Sequence, residues 1–338
     1  MRFKVVALAA AVLAVPYGTA FGISINTFSQ IVSFGDSLSD PGNASIETLG
    51  TVPGANYATR TVTGVPFPAG YYTDGPNTTP STGSGPTGLW IDQLAGLMGL
   101  TDPAPALAPG GGTNYAVASA MTGSTNPQDM QNQVNLFLSQ HLTGVSSSAL
   151  YTFWGGANDL VAGVNPTQAA NNIMKEIEQV ANEGGKYFLW LNLPSLGDTP
   201  EVAAEGPVAA ALANAASGDF NAQYAADLSA LNADGITVIG VDIGSLFNQL
   251  LADPSAFGFT NDNTACQGNP ACTNPNSYIF WDDFHPTTEG DMYVADAAYA
   301  DLVAAPEPAT CAMIFLGGCG LLALRKRSRK QSADNKNA

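Results

Sequence analysis

Four short stretches of the chain are apolar at nearly every position: 30–34, 150–154, 187–191 and 236–241. Runs of this length without polar alternation fit strands buried on both faces, as in a parallel sheet covered by helices. Between and after them, apolar residues recur at helical spacing over 88–98, 130–141, 166–183, 207–232 and 287–303. Strands alternating with helices predict an α/β sheet with crossover connections. Residues 50–86 break this rhythm. They are dense in Gly, Pro, Thr and Ser and predict a long excursion over one face, of a kind that is often functional. No repeat and no charged linker divides 23–305, which is read as a single domain.

The two ends follow other patterns. Residues 1–22 place Arg2 and Lys4 before an apolar run from Val5 to Val15 and then small residues such as Gly18 and Ala20, the layout of a secretory signal. Ala309 to Leu324 is uncharged and apolar and is followed at once by Arg325-Lys326-Arg327-Ser328-Arg329-Lys330. As a helix this run spans about 24 Å against a bilayer core of about 30 Å, a gap that snorkelling cations can bridge. The basic cluster orients the preceding chain outward. Pro306-Glu307-Pro308, the apolar run and the basic end together resemble the PEP-CTERM sorting signal of Gram-negative bacteria. That resemblance implies signal peptidase and an exosortase as processing partners. It also implies transient anchoring in the inner membrane and a destination at the cell surface or extracellular matrix. A plain C-terminal anchor predicts the same topology.

Charge narrows the partners further. Only Arg60, Lys175 and Lys186 lie between 23 and 305, against 26 acids, a formal charge of −23. Nucleic acid is excluded as a partner, because phosphate binding needs clustered cations. Cys311 and Cys319 fall in the apolar tail, which leaves Cys266 and Cys272 as the body's pair. With five residues between them, they are expected to close a small disulfide loop in an oxidising compartment. Two thiolates with no nearby His do not make a metal site.

The carboxyl ends of parallel strands are where such sheets gather their chemistry. The first predicted strand runs into Gly35-Asp36-Ser37-Leu38-Ser39-Asp40, placing a serine just past a strand end. A serine nucleophile needs a base, and the chain has two histidines. His141 ends a predicted helix, where capping is the better reading. His285 stands in Trp281-Asp282-Asp283-Phe284-His285-Pro286-Thr287. Asp282, three residues earlier, can reach its Nδ1 and leave Nε2 for the serine. Asp283 is the weaker alternative, since adjacent spacing points its side chain elsewhere. Donors for an oxyanion are sought in Gly110-Gly111-Gly112-Thr113-Asn114-Tyr115-Ala116 and in Trp154-Gly155-Gly156-Ala157-Asn158-Asp159. Read alone, each of these segments is also an ordinary turn or helix cap.

Together the segments resemble the GDSL-type members of the SGNH hydrolase superfamily. Four blocks occur in family order: Gly35 to Asp40, Gly112 to Ala116, Gly156 to Asp159, and Asp282-x-x-His285-Pro286-Thr287. The resemblance implies a three-layer α/β/α sandwich around a flavodoxin-like, five-stranded parallel sheet, its fifth strand expected before Gly112. It implies Ser37 as nucleophile, His285 as general base and acid, and Asp282 as the residue that orients it. The oxyanion hole would comprise the Ser37 and Gly112 N–H groups and the Asn158 amide. No cofactor and no metal are implied. Asn192 to Pro200 resembles a post-strand loop of plant-like and haemolysin-like members.

The expected activity is hydrolysis of a carboxylic ester, with a small-molecule, lipid or acylated-glycan substrate. Tyr57, Phe67, Tyr71 and Tyr72 in the excursion are candidates to line its pocket. A non-catalytic matrix or adhesion protein on the same scaffold is the alternative.

Overall fold

Each of the four apolar runs forms a strand in the structure, a computed structural model that describes residues 28–47, 60–62, 65–67, 73, 88–108 and 110–305. The described elements begin with β1 (Gln30–Gly35), α1 (Asn43–Glu47), β2 (Arg60–Val62), β3 (Val65–Phe67), α2 (Trp90–Met98) and α3 (Met130–Gln140). They continue with β4 (Ala149–Trp154), α4 (Ala157–Val161), α5 (Pro166–Asn182), β5 (Tyr187–Leu191) and α6 (Pro200–Ala204). The last are α7 (Pro207–Ala233), β6 (Thr237–Val241), α8 (Ile243–Ala252) and α9 (Thr288–Ala304). All of these fall within one unit, Ser24–Ala305. The expected signal at 1–22, the apolar segment 309–324 and the aromatic residues Tyr57, Tyr71 and Tyr72 lie outside the described residues. Among the described residues no helix is long and apolar enough to cross a membrane.

The main sheet is parallel throughout, in the order β1-β4-β5-β6. Side chains alternate across a strand, so the apolar runs feed two cores at once. Val32, Phe34, Tyr151, Phe153, Phe188, Trp190 and Val238 face one side and pack with Val134 and Phe137 of α3, Ile173 and Ile177 of α5, and Phe220 and Leu231 of α7. The alternate residues face the other side, where Trp90 of α2 meets Trp154 edge-on and α2 and α8 pack against α9. These layers make the α/β/α sandwich.

Among the described residues the fifth strand is not present as such. Asn114 makes isolated parallel bridges to Ser33 on one side and Pro105 on the other. Thus the segment that extends the sheet beside β1 follows Gly112 and does not precede it. The physical reason lies in Pro103 and Pro105, which lack the N–H a ladder needs, and in the glycines 110–112 that follow.

Cys266 and Cys272 are joined in a disulfide that packs with Tyr278 and Trp281. From that loop the N–H of Cys266 donates to the Phe280 carbonyl at 3.1 Å and the N–H of Gln267 to the Trp281 carbonyl at 2.6 Å. The crosslink therefore backs the segment that carries Asp282 and His285. Of the long excursion, the short antiparallel hairpin β2–β3 and Thr73 are described, and the Thr73 hydroxyl lies 2.9 Å from that of Thr288 at the start of α9.

Candidate active site

Ser37 stands two residues past the end of β1. Gly35 allows this exit, because a Cβ there would stand 2.4 Å from the Trp154 carbonyl oxygen on the neighbouring strand. The turn is then held by two aspartates. Asp36 Oδ1 accepts from the Leu38 N–H at 3.0 Å. Asp40 accepts from the N–H groups of Gly42, Asn43 and Ala44, and, across the fold, from that of Ala118 at 2.8 Å. Asn114 Nδ2 donates to the Ser39 carbonyl at 2.8 Å, while Asn43 Nδ2 donates to the carbonyls of Asn114 and Ala116. These bonds stitch the first and second blocks together.

The third partner arrives from the loop before α9. His285 Nε2 lies 2.7 Å from Ser37 Oγ, and its Nδ1 lies 2.9 Å from both oxygens of Asp282. Asp282 Oδ1 also accepts from the backbone N–H of Phe284 at 2.9 Å and of His285 at 2.8 Å. Burial acts to raise the Asp282 carboxyl. The adjacent imidazole and these hydrogen bonds outweigh it and hold the group down at about 2. An ionised carboxylate can only accept, so the imidazole proton sits on Nδ1 and the Nε2 lone pair faces the serine hydroxyl. Asp283 is exposed and contributes its carbonyl to the Glu201 N–H. His141 sits at the end of α3, its Nδ1 2.7 Å from the Phe137 carbonyl and its ring against the Phe137 ring.

Asn158 stands in the first turn of α4, after Gly156 at φ 109°, whose missing side chain leaves room for Phe220. Its amide donates to the Ala120 carbonyl at 2.9 Å and lies 3.5 Å from Asp36 Oδ2. Ser37, Asn158 and His285 share one cavity of about 260 Å³.

Gly112 is not part of that cavity. Asn114 pairs with Ser33, in the middle of β1, so Gly112 lies toward the amino end of the strand while Ser37 lies past its carboxyl end. At about 3.3 Å per residue the two are far apart. Gly112 is needed for another reason: a Cβ would fall 2.1 Å from the Ala104 carbonyl oxygen. The same segment reaches the cavity later, at Ser119, which lines it with φ 64°, the one positive φ of a non-glycine among the described residues. A left-handed serine costs roughly 1–3 kcal/mol and marks a backbone held for a purpose. Ser119 carries no sequence signal, since left-handed positions are ordinarily found through Gly or Asn.

Three buried acids shift the other way from Asp282, upward. Burial pushes Asp36 up to about 6, opposed by the Leu38 N–H and the His285 charge and reinforced by Asp159. Burial likewise raises Asp40 to about 6, against four backbone N–H bonds. Glu176, wholly buried and facing Asp159 and Asp129, is raised well above the usual carboxylate range by burial first and those charges second. A raised carboxyl stabilises the fold below its unfolded value, and that stability is lost as pH climbs through the folded value. At about 1.4 kcal/mol per unit, Asp36 and Asp40 each withdraw on the order of 3 kcal/mol between about pH 4 and 7. Thermal melts are therefore expected to show a melting temperature several degrees higher at pH 5 than at pH 8. A melting temperature that rises from pH 5 to 8 would contradict this.

A family profile described as GDSL-like Lipase/Acylhydrolase matches residues 31–298. The chain is 26% identical over 325 residues to a GDSL esterase/lipase of Arabidopsis thaliana, covering 79% of this chain and 85% of that protein. It is 30% identical over 257 residues to the phosphatidylcholine-sterol acyltransferase of Aeromonas hydrophila, covering 73% and 68%. Esterase EstA of Pseudomonas aeruginosa is 28% identical over 342 residues, covering 90% of this chain and 51% of that protein. Among solved structures, a lipolytic G-D-S-L family protein from Veillonella parvula aligns with a TM-score of 0.42 at 14% identity, over 80% of this chain and 96% of that one.

Proposed function

Since the chain belongs to the GDSL-like lipase/acylhydrolase family and is a carboxylic ester hydrolase, we propose that Ser37 is its nucleophile, served by His285 and Asp282, and that it acts after export. The observation that carries this reading is the unbroken relay from Ser37 Oγ through the imidazole to the Asp282 carboxylate, with contacts of 2.7 and 2.9 Å. Ser37 Oγ attacks the ester carbonyl as its proton passes to Nε2. Asp282 stabilises the imidazolium. The same proton leaves with the alcohol, and water activated by Nε2 then releases the acid. Side chains and water suffice for both steps.

Developing negative charge on the carbonyl oxygen needs aligned donors. The Asn158 amide, already aimed by the Ala120 carbonyl, is one, and the Ser37 N–H is a second. Ser119 N–H takes the role expected of Gly112, supported by the left-handed backbone at Ser119 and its place in the cavity. Replacing Asn158 by alanine is expected to lower kcat about 10²–10³-fold on p-nitrophenyl butyrate, since one donor of such a hole is worth that much. An unchanged kcat would remove Asn158 from the mechanism. No position of the relay is missing, so nothing favours the non-catalytic scaffold.

Export rests on the signal pattern of 1–22 and the Pro306-Glu307-Pro308, apolar and basic sequence of 306–338, with signal peptidase and an exosortase as the processing partners. The expected destination is the surface or extracellular matrix of a Gram-negative cell. Fractionation of expressing cells tests it: enzyme confined to the cytosol would overturn this part of the reading.

A further inference from the structure

Beside Ser37 the cavity wall is built from hydrocarbon. Leu38 follows the serine, Val161 extends α4 one turn past Asn158, and Leu196 comes from the loop after β5. Phe247 and Leu251 of α8, four residues apart and so on one helix face, complete the far side with Phe280. Asp242 fixes that face, because its carboxylate caps α8 through the Ser245 N–H and takes the Asn192 amide at 2.9 Å. The cavity's volume of about 260 Å³ is several times the ~30 Å³ a water occupies, so an acetyl group would leave most of it unfilled.

The charges at the site have one sign. Asp36 and Asp198 line the cavity and neither Lys nor Arg does among the described residues. A phosphate, sulfate or carboxylate on the substrate would meet no counter-ion there. Several polar side chains that a glycan could meet are already committed. Thr199 Oγ1 is bonded to the Leu196 carbonyl. In the polar groove between α7 and α8, Asn221 is committed to both backbone groups of Leu193, and Asn192 to Asp242 and the Gly244 N–H.

We infer that the wall formed by Val161, Leu196, Phe247 and Leu251 binds the aliphatic acyl chain of an ester whose alcohol part carries no negative charge. The inference rests on Ser37 being the nucleophile. The leaving oxygen must face His285 Nε2, and the neighbouring Phe284 is 39% exposed, so the alcohol departs toward solvent. The acyl chain then takes the opposite side, whose floor is the buried Leu196 and Phe247 and whose rim is the exposed Val161.

The test is a matched ester panel on the full-length protein: p-nitrophenyl acetate and octanoate, methyl octanoate and octyl acetate, and monooctanoylglycerol with its phosphorylated counterpart. The octanoate-to-acetate ratio in kcat/KM is expected to exceed about ten. It should fall about tenfold in Leu251→Trp and in Val161→Trp, the second at a side chain 63% exposed and so safe for folding. Methyl octanoate should exceed octyl acetate, and the neutral glyceride its phosphorylated form. A ratio at or below one, a preference for octyl acetate, an equal rate on the phosphorylated ester, or a ratio that neither variant moves would overturn the inference. Ser37→Ala separates the two failures: activity that survives it on every ester defeats the nucleophile assignment, while its loss with an acetate preference defeats only the acyl site.

Discussion

Ser37→Ala is expected to lower kcat about 10⁵–10⁶-fold, the scale on which removal of a serine nucleophile acts when base and oxyanion donors stay in place. The substitution deletes one oxygen from a half-buried side chain, so far-UV circular dichroism and the melting temperature should stay close to those of the parent. The geometry behind this is the 2.7 Å contact from Ser37 Oγ to His285 Nε2 on a turn that does not depend on the hydroxyl. Asp36 and Asp40 hold that turn through backbone N–H groups instead. A variant with a tenth of the parent rate would place the nucleophile elsewhere.

Asp282→Asn carries the second largest effect, a fall in kcat of about 10⁴-fold. Asparagine keeps the volume and one acceptor oxygen but turns the other into a donor. The imidazole then loses the partner that keeps its proton on Nδ1, and Nε2 presents a hydrogen to a hydroxyl that must give one up. Stability changes as well, because Asp282 Oδ1 also accepts from the N–H groups of Phe284 and His285. Its carboxyl is held at about 2, so the stability it brings is complete above about pH 4 and lost as pH falls through 2. Steady-state kinetics at neutral pH, with a melt to show the variant folded, reads both effects. A loss of less than tenfold would show that Asp282 neither orients nor stabilises the imidazole.

Much of this was readable in the pattern of residues. The strands lie where continuous apolar runs predict them, since a parallel sheet covered on both faces leaves no polar alternation to confuse them. Asp282 and His285 were legible because three-residue spacing brings a carboxylate back to an imidazole within one turn. Three features were not. The edge of the sheet differs from the expectation because its pairing is reduced to single bridges of Asn114 with Ser33 and with Pro105, a residue that lacks a ladder N–H. The family resemblance points to Gly112 for the oxyanion hole, yet its lack of a side chain serves the close approach of Ala104. The residue that does reach the cavity is a serine in a glycine's conformation, and backbone dihedral angles cannot be read from its type. Helix α8 also went unpredicted, although its Phe247 and Leu251 form a wall of the site.

The most direct measurement reacts the protein with a fluorophosphonate, then locates the adduct by peptide mass spectrometry while following loss of esterase activity. A single adduct on Ser37, formed in step with inactivation and suppressed in the Asp282→Asn variant, is the predicted result. Complete inactivation with Ser37 unmodified would contradict the account.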